Sequence, residues 1–231
     1  MDFSARNRKV AISRWKKIHS SVRLSNNFSK EKAAITSYLS GDGWIRSDKH
    51  DSRYEIRFFL DDLQLAERVV KLFENEFNVH PKIKKIESTV PEGRGYFKVE
   101  ISNKPVCEHL LKLGTYGGLT WTIPDKLNEE CKREWIRCFF DCEAYVNIKK
   151  RQIQLKSING KGLCNLQKLL EEELIFPKIY GPYKQKGQNH NPYYFLIILG
   201  KANIARYSEK IGFYHTRKIE SLSKLIESLH L

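Results

Sequence analysis

The chain has 231 residues, of which 41% are hydrophobic and 12% aromatic, a composition that supports packed cores and excludes a disordered chain. The length suits one large domain or two of about 100 residues each. Lys and Arg number 41 against 27 Asp and Glu, and the resulting net charge of +14 attracts polyanions. We therefore expect a nucleic acid as partner, ahead of a membrane surface or of no polyanion at all.

Membrane proteins and disulfide-rich secreted proteins are the classes that the sequence argues against. The longest apolar run, YYFLIIL at 193–199, is far shorter than the ~20 residues of a membrane span, and the basic N-terminus lacks the apolar stretch of a signal peptide. The five cysteines form no CxxC pair and fit reduced thiols better than disulfides or zinc. We expect a cytoplasmic, nucleoid-associated protein without a targeting signal.

Residues 1–29 form a basic N-terminal extension in which Asp2 is the one acidic residue. Two interpretations are about equally supported. The segment could be an amphipathic helix with its basic face on phosphates, or a solvated basic tail.

The next segment, AITSYLSGDGWI at 34–45, predicts a helix that ends at Gly41-Asp42-Gly43. Asp-Gly taken singly is typical of a tight turn. A carboxylate at this place faces the negative end of the helix dipole, which is unfavourable by ~0.3–1 kcal/mol.

Beyond this helix the first half of the chain predicts strands from Trp44, at 53–60, near 82–87 and near 95–102, with helices at 62–77 and up to Gly114. In RYEIRFFL (53–60), apolar and charged residues alternate strictly, which is the pattern of a strand with one buried face. Asp61 or Asp62 could cap the helix that follows.

The second half repeats the first. Pro-Lys-Ile recurs at 81–83 and 177–179, KLGTY at 112–116 matches KIGFY at 210–214, and WIRCFFDCEAYV at 135–146 places Glu143 on Asp42. With the match of YFKVEISNK (96–104) to YFLIILGK (194–201), four matches in one order predict two αββαββα repeats, at 30–117 and 127–231, joined by a linker at 118–126. Second-repeat strands are predicted at 145–149, 152–156, 177–183 and 193–199, and helices at 162–173, 201–211 and 216–229.

Polar side chains recur on the outward faces of the predicted strands. These are the types that bind base edges in a major groove, although a solvated sheet face also prefers Lys and Gln. YYFLIIL does not alternate, so we expect it to be covered on both sides and to contact no bases. The DNA-facing candidates are Arg53, Arg57, Lys82, Lys84, Lys98, Asn147, Lys149, Gln152, Gln154 and Lys156, with Lys184 and Lys186 in a basic loop.

Two helix ends that each carry an acid would repel each other if they met. A folded protein tolerates Asp42 beside Glu143 only if protons or cations share the site, and their oxygens suit a hard ion such as Mg²⁺. Small residues four apart give each helix a flat stripe on which the backbones can approach closely: Ser37 and Gly41 on one, Cys138 and Cys142 on the other.

ITSYLSGDG (35–43) and IRCFFDCEA (136–144) resemble the two motifs of the LAGLIDADG homing endonucleases in their single-chain, two-repeat form, over roughly residues 30–229. The resemblance implies an α+β fold in which the motif helices pack at a central interface and two four-stranded antiparallel sheets form a saddle over double-stranded DNA. It implies a monomer that cleaves a specific site on both strands.

The same resemblance implies the residues of the active site. Asp42 and Glu143, at the eighth motif position, would bind Mg²⁺ or Mn²⁺, with help from the backbone carbonyls of Gly41 and Cys142. The metal would activate water and stabilise the leaving oxygen. Lys218 is the candidate basic residue near a phosphate.

Several residues depart from the family pattern. Ala144 stands where glycine is usual and would be strained if the backbone required positive φ. Ser40 replaces a frequent acid, which Asp141 retains, and residues 119–121 contain no counterpart of Lys218. A cleavage-deficient DNA-binding protein or an RNA-splicing maturase that binds intron RNA is therefore the alternative. A third class, a basic RNA-binding or ribosome-associated protein, would need no paired acids.

Overall fold

The computed structural model describes residues 21–48, 50–89, 95–184 and 191–230. Most of the predicted N-terminal extension lies outside these residues, as does Lys186. The described part of the extension folds back on the first repeat, where the Arg23 amide donates to the Phe77 carbonyl at 3.1 Å. The fully buried Lys32 holds this segment, because its ammonium binds the carbonyl of Asn27 at 2.6 Å and Glu76 at 3.0 Å.

The first repeat has the predicted αββαββα order. Polar side chains set the start of its helices: Ser29, Asp62 and Asn103 each accept a hydrogen bond from a backbone amide of the first turn. The elements are α1 (Lys30–Ser40), β1 (Gly43–Asp48), β2 (Arg53–Leu60), α2 (Leu63–Phe77), β3 (Lys82–Ile86), β4 (Tyr96–Ile101) and α3 (Lys104–Leu113).

The second repeat has the same order with one more helix at its end. Its first two helices begin at Asn128 and Asn159, whose side chains cap them as in the first repeat. The elements are α4 (Glu129–Glu143), β5 (Ala144–Asn147), β6 (Gln152–Ser157), α5 (Gly160–Glu172), β7 (Lys178–Tyr183), β8 (Tyr193–Leu199), α6 (Lys201–Lys210) and α7 (Thr216–Ser228).

The two sheets have the same topology, β1-β2-β4-β3 and β5-β6-β8-β7, and all neighbouring strands are antiparallel. Their registers also agree, since Gly43 pairs with Phe58 in the first sheet and Ala144 pairs with Leu155 in the second. The predicted α+β fold of two tandem repeats, each with a four-stranded antiparallel sheet, is confirmed.

Strand alternation buries one face of each sheet against helices. In the first repeat Ile56 and Phe58 are fully buried with Phe73 of α2, and in the second Ile153 and Leu155 are fully buried in a separate cluster. Burial of each such side chain stabilises the fold by about 1.5–3 kcal/mol. The opposite face of each sheet is left to solvent.

Two predictions about strands are wrong. Leu196 and Ile198 of β8 are fully buried, whereas Phe195 and Ile197 on the other face are half-buried and Leu199 is 37% exposed. YYFLIIL is thus apolar throughout although one face is not covered. Lys149 was expected on a strand but lies in the turn between β5 and β6.

The described helices include none that is both long and apolar enough to cross a bilayer.

Candidate active site

Helices α1 and α4 cross at the centre of the molecule, and small residues let them touch. The Ser37 hydroxyl on α1 donates to the Trp135 carbonyl on α4 at 2.6 Å. A Cβ on Gly41 would lie 2.5 Å from Cβ and 2.9 Å from Sγ of Cys142, which is closer than atoms can pack. Glycine at 41 is therefore a requirement of the helix crossing.

The two motif acids lie at the same end of this crossing. Asp42 follows the last turn of α1, and Glu143 is the last residue of α4. Oε1 of Glu143 lies 3.6 Å from where a Cβ on Gly41 would stand, so its carboxylate borders the residue before Asp42. Each acid also faces the negative end of a helix dipole.

Burial disfavours the charged forms of both acids. Burial and then the charge of Asp42 raise the pKa of Glu143 to about 7, with Lys218 opposing the shift. Burial also raises the pKa of Asp42, against a hydrogen bond from the Cys142 thiol and the charge of Lys218. The raised pKa favours the protonated form of Glu143, and a bound cation would compete with that proton.

The residues after the two acids have different roles. A Cβ on Gly43 would lie 2.5 Å from the Leu39 Cα, so this position requires glycine. Ala144 has φ −88° and ψ 151°, an ordinary strand conformation, and its side chain is buried in the second core. The backbone at Ala144 does not require positive φ, so the condition for strain is not met.

Lys218 reaches the end of α4 from the start of α7. Its partly buried ammonium donates to the carbonyls of Phe140 at 3.1 Å, Asp141, and Cys142 at 3.3 Å. Burial lowers the pKa of Lys218, and the surrounding acids oppose that shift. Lys218 thus caps α4, and it also binds the Cys142 carbonyl that was predicted to contact a metal.

The sequence profile of the LAGLIDADG-like domain matches residues 29–113 and 130–212, which are the two repeats that carry these acids. The chain belongs to the LAGLIDADG-like domain family.

Two curated relatives are much longer than this chain. It is 26% identical over 205 residues to the replication factor C small subunit of Methanocaldococcus jannaschii, covering 87% of the chain and 10% of that protein. It is 25% identical over 215 residues to the glutamine–fructose-6-phosphate aminotransferase of the same organism, covering 90% of the chain and 18% of that protein. The chain therefore spans less than a fifth of either relative.

Solved structures share the fold of the LAGLIDADG chain. The structure of I-DmoI in complex with DNA and Mn superposes with a TM-score of 0.57 at 15% identity, covering 80% of this chain and 98% of that one. I-DmoI in complex with DNA and Ca gives a TM-score of 0.60 at 13% identity over 84% and 97% of the two chains. At sequence identities this low, the comparison shows that the chains share a fold and nothing more specific.

Asp141, the acid at the sixth position of the second LAGLIDADG motif, positions Lys218. Its Oδ1 accepts from the amides of Tyr214 at 2.9 Å and His215 at 3.0 Å. Burial raises the pKa of Asp141 to about 6, and the hydrogen bonds from these two backbone amides oppose the rise. In the first motif the Ser40 hydroxyl instead donates to the carbonyl of Thr36 at 2.9 Å, within its own helix.

The LAGLIDADG site is consequently asymmetric. When KLGTY is aligned with KIGFY, the first-repeat residue equivalent to Lys218 is Thr120. Threonine has no ammonium group, so it cannot cap the end of α1 as Lys218 caps the end of α4. A different cation, Lys156 on β6, lines a pocket of about 230 Å³ together with Ser40, Gly41 and Glu143.

The sequence did not indicate a cluster of polar side chains that joins the repeats beside Asp42. Nε2 of His215 lies 3.0 Å from Oδ1 of Asp61, and Arg217 pairs with the same carboxylate. Asp62 both caps α2 and accepts from the Thr216 amide at 3.2 Å. The sequence predicted either Asp61 or Asp62 as the N-cap of α2, and in the structure the N-cap is Asp62. The partners lie 154 residues away, and no motif links them.

The predicted DNA-facing residues divide by element. Arg53 and Arg57 lie on β2, Lys82 and Lys84 on β3, Lys98 on β4, Asn147 on β5, and Gln152, Gln154 and Lys156 on β6; Lys184 is exposed just after β7.

Acids occupy part of the first sheet's solvent face. The Arg57 guanidinium binds Glu55 at 2.8 Å and Glu100 at 2.9 Å, and the Lys98 ammonium lies 3.3 Å from Glu100. The basic charge of this face is therefore partly neutralised within the protein.

The donor set at the centre fits a hard divalent cation held jointly with a substrate. Over the described ranges, no three His, Cys, Asp or Glu side chains cluster as a metal cage. Asp42 and Glu143 offer carboxylate oxygens, and carbonyls lie beside them. Mg²⁺ and Mn²⁺ accept such oxygen ligands and complete their shells with water and phosphate oxygens.

Proposed function

We propose that this chain is a site-specific, metal-dependent endonuclease that hydrolyses both strands of double-stranded DNA. The observation that carries the proposal is the position of two partly buried acids, one from each LAGLIDADG motif, at one end of the helix crossing. Burial raises the pKa of both Asp42 and Glu143, and the charge of Asp42 adds to the rise at Glu143, so the charged site is destabilised. Such an arrangement is favoured by a function that needs cations there.

Each residue of the proposed site has a role. Asp42 and Glu143 would hold Mg²⁺ or Mn²⁺, with the carbonyls of Gly41 and Cys142 beside them. When bound, the metal supplies an activated water and neutralises charge on the leaving oxygen. Lys218 fixes the end of α4 and adds positive charge near Asp42, where a phosphate would lie.

The two sheets supply the proposed DNA surface. Their solvent faces lie on the repeats on either side of the motif helices, and the net charge of +14 favours a polyanion. The likeness to I-DmoI, whose structures contain DNA with Mn or Ca, supports the same partner and cations for this chain.

The relatives support a self-contained activity. A replication factor subunit and an aminotransferase share no chemistry by their names, yet each contains a segment similar to most of this chain. A module inserted into unrelated host proteins explains that distribution, and a DNA endonuclease is an activity by which such a module could spread.

Cleavage of a randomised duplex library tests the proposal. The full chain is incubated with the library and Mg²⁺, and the cut ends are sequenced. We expect one recurrent target, cut on both strands. On that target Asp42→Asn and Glu143→Gln should abolish cleavage and leave duplex affinity equal or stronger, because each substitution removes negative charge near phosphates.

Matched controls remove the same charge from exposed places. Asp125→Asn and Glu209→Gln should cut like the wild type, since both side chains are exposed. Cleavage by Asp42→Asn or Glu143→Gln at the wild-type rate would contradict the assignment of the site.

A cleavage-deficient DNA-binding protein or an RNA-splicing maturase is the second candidate. This candidate is favoured by Thr120, which stands where a second lysine equivalent to Lys218 would be. Only one of the two motif helices therefore ends at a lysine ammonium. Recurrent bound duplexes that stay intact in Mg²⁺ would support the binder, tighter binding of intron RNA would support the maturase, and cuts on one strand would indicate a nickase.

A further inference from the structure

We propose that the two sheets select base pairs of opposite composition. The first sheet would bind a half-site dominated by G·C pairs, and the second sheet a half-site dominated by A·T pairs. This inference rests on the proposed function, since it requires a DNA duplex in contact with both sheets.

The registers of the two sheets allow their solvent faces to be compared position by position. Phe58 pairs with Val99 in the first sheet, and Leu155 pairs with Leu196 in the second; all four are fully buried. Each residue of β2 and β4 therefore has a counterpart 155 − 58 = 97 residues later. The neighbouring edge strands are fixed in the same way by their own pairings.

At six equivalent positions on the solvent faces, the first sheet has a charged side chain and the second has a neutral one; at one further pair, Phe59 and Lys156, the order is reversed. In the second sheet, amides, aromatic rings and one aliphatic side chain stand in place of the two acidic and four basic side chains of the first. The pairs are Arg46 and Asn147, Glu55 and Gln152, Arg57 and Gln154, Lys84 and Tyr180, Lys98 and Phe195, and Glu100 and Ile197.

The side chains of the first face match G·C pairs. Arg and Lys donate to O6 and N7 of guanine, and Glu and Asp accept from N4 of cytosine. Nε and Nη2 of Arg57 are held by Glu100 and Glu55, and the guanidinium packs 5.1 Å from the Trp44 ring centroid. These contacts fix the direction of the guanidinium before any base arrives, so Arg57 and its two acids form a ready G·C contact.

The amides of the second face match adenine. Asn and Gln bind N6 and N7 of adenine with one acceptor and one donor. The Gln152 amide nitrogen donates to the Gln154 oxygen at 2.8 Å, which orients both amides in one row along β6. Asn147 is adjacent, since it pairs with Gln152 across the ladder.

The apolar side chains of the second face match the methyl group of thymine. Tyr193 lies 5.6 Å from Phe195 and 5.7 Å from Tyr183 between ring centroids, and Tyr180 and Tyr183 are 39% and 43% exposed. A thymine methyl is the one apolar group that a base pair presents in the major groove. This cluster of rings therefore favours thymine.

Stacking on unpaired bases is the competing use of exposed rings. In this cluster the rings meet at tilted and T-shaped angles, and the Lys156 ammonium lies 4.2 Å from the Tyr193 centroid. The ring faces are partly occupied by these neighbours. The arrangement favours contacts with the edges of a paired duplex.

A binding selection tests the inference. Random duplexes are bound to the full chain in Ca²⁺, which supports binding without requiring cleavage, and the bound fraction is sequenced. We expect one half of the recovered site to be G·C-rich and the other half A·T-rich. Equal composition of the two halves would overturn the inference.

Two exchange variants assign the halves to the sheets. Arg57→Gln places the second sheet's residue on the first face, and Gln154→Arg does the reverse. Each should weaken binding of the parental site about tenfold, the effect of one good base contact, and Gln154→Arg should move the recovered A·T half toward guanine. Lys168→Gln, on the outer surface of α5, removes a charge away from both faces and should bind the parental site like the wild type.

The outcomes separate this inference from the proposed function. Duplexes that bind with no compositional difference, or a Gln154→Arg selection unchanged from the wild type, contradict the inference alone. No recovered duplex, or tighter binding of unpaired strands than of duplex, contradicts the proposed function as well. Thermal unfolding of each variant confirms that it is folded.

Discussion

Gly41 shows how one residue decides the geometry of the site. Its missing side chain lets α1 and α4 touch next to both acids, because a Cβ there would lie 2.5 Å from that of Cys142. At Ala144, by contrast, the backbone is an ordinary strand, and alanine fits where the family favours glycine. The motif glycines thus differ in whether close packing demands them.

Gly41→Ala should lower the free energy of unfolding by about 1–3 kcal/mol, the usual cost of overpacking, as measured by urea unfolding. Cys142→Gly in the same chain removes the opposing Cβ and should recover part of the loss. Gly118→Ala is the control, because its Cβ would make an ordinary 3.4 Å contact with Ile158. Equal stability of Gly41→Ala and the wild type would contradict the close crossing.

Sequence alone indicated the residues that repeat. Asp42 and Glu143 could be predicted because each ends a motif helix of the same pattern. The link from His215 to Asp61 could not, since it joins residues 154 positions apart that have no counterpart in the other repeat. The ion pairs of Arg57 with Glu55 and Glu100 depend on strand register, which alternation does not specify.

At the scale of elements, the start of α7 fastens the second repeat to the first. Asp141 holds the amides of Tyr214 and His215, Lys218 caps α4, and His215 reaches Asp61 at the end of β2. The order of the helices and strands was predictable from periodicity and from the repeat, and this junction was not. It forms only when two helix ends and a loop from different repeats meet.

Lys218→Met should destabilise the chain by about 1–2 kcal/mol and slow cleavage, because the end of α4 loses its cation and three carbonyls lose a donor. Urea unfolding and cleavage rates measure the two effects. Lys224→Met, exposed on the same helix, should change neither. An unaltered unfolding midpoint for Lys218→Met would argue against the cap.

The junction should also respond to acid. The pKa of Asp61 is lowered to about 2, chiefly by its hydrogen bond with His215. Burial opposes this shift, and the nearby positive charges of His215, Arg217 and Lys218 add to it. Stability from this carboxylate is present above its ordinary pKa near 4 and is lost as the pH falls toward 2. Because Asp61 is half-exposed, the contribution should be about 0.5–1 kcal/mol.

Asp61→Asn should therefore unfold more easily than the wild type at pH 5, and the two should converge near pH 2. Urea unfolding at several pH values measures the difference. Asp125→Asn, which removes an exposed acid, should follow the wild type throughout. A gap between Asp61→Asn and the wild type that stays constant from pH 5 to pH 2 would contradict the assigned pairing.

At the scale of the whole molecule, two similar repeats form two unlike surfaces. The duplication predicts the paired sheets and the central helices, and hence the general position of the acids. It does not predict that six charged positions on one sheet face correspond to neutral side chains on the other. Solvent-facing positions do not determine packing, so the repeats could diverge there while the cores stayed alike.

Binding of a selected duplex should weaken steeply with salt, by on the order of 10³ between 50 and 200 mM if about six phosphates are neutralised. Fluorescence anisotropy of a labelled duplex measures this dependence. A flat dependence would count against a nucleic-acid partner of any kind.

The central claim is that Asp42 and Glu143 together hold divalent cations against DNA. Anomalous diffraction from crystals of the full chain with a selected duplex and Mn²⁺ tests it directly. We predict Mn²⁺ bound to both carboxylates, at roughly 2.1 Å from their oxygens, and to a phosphate oxygen. Mn²⁺ bound away from both acids, with the DNA backbone elsewhere, would contradict the account.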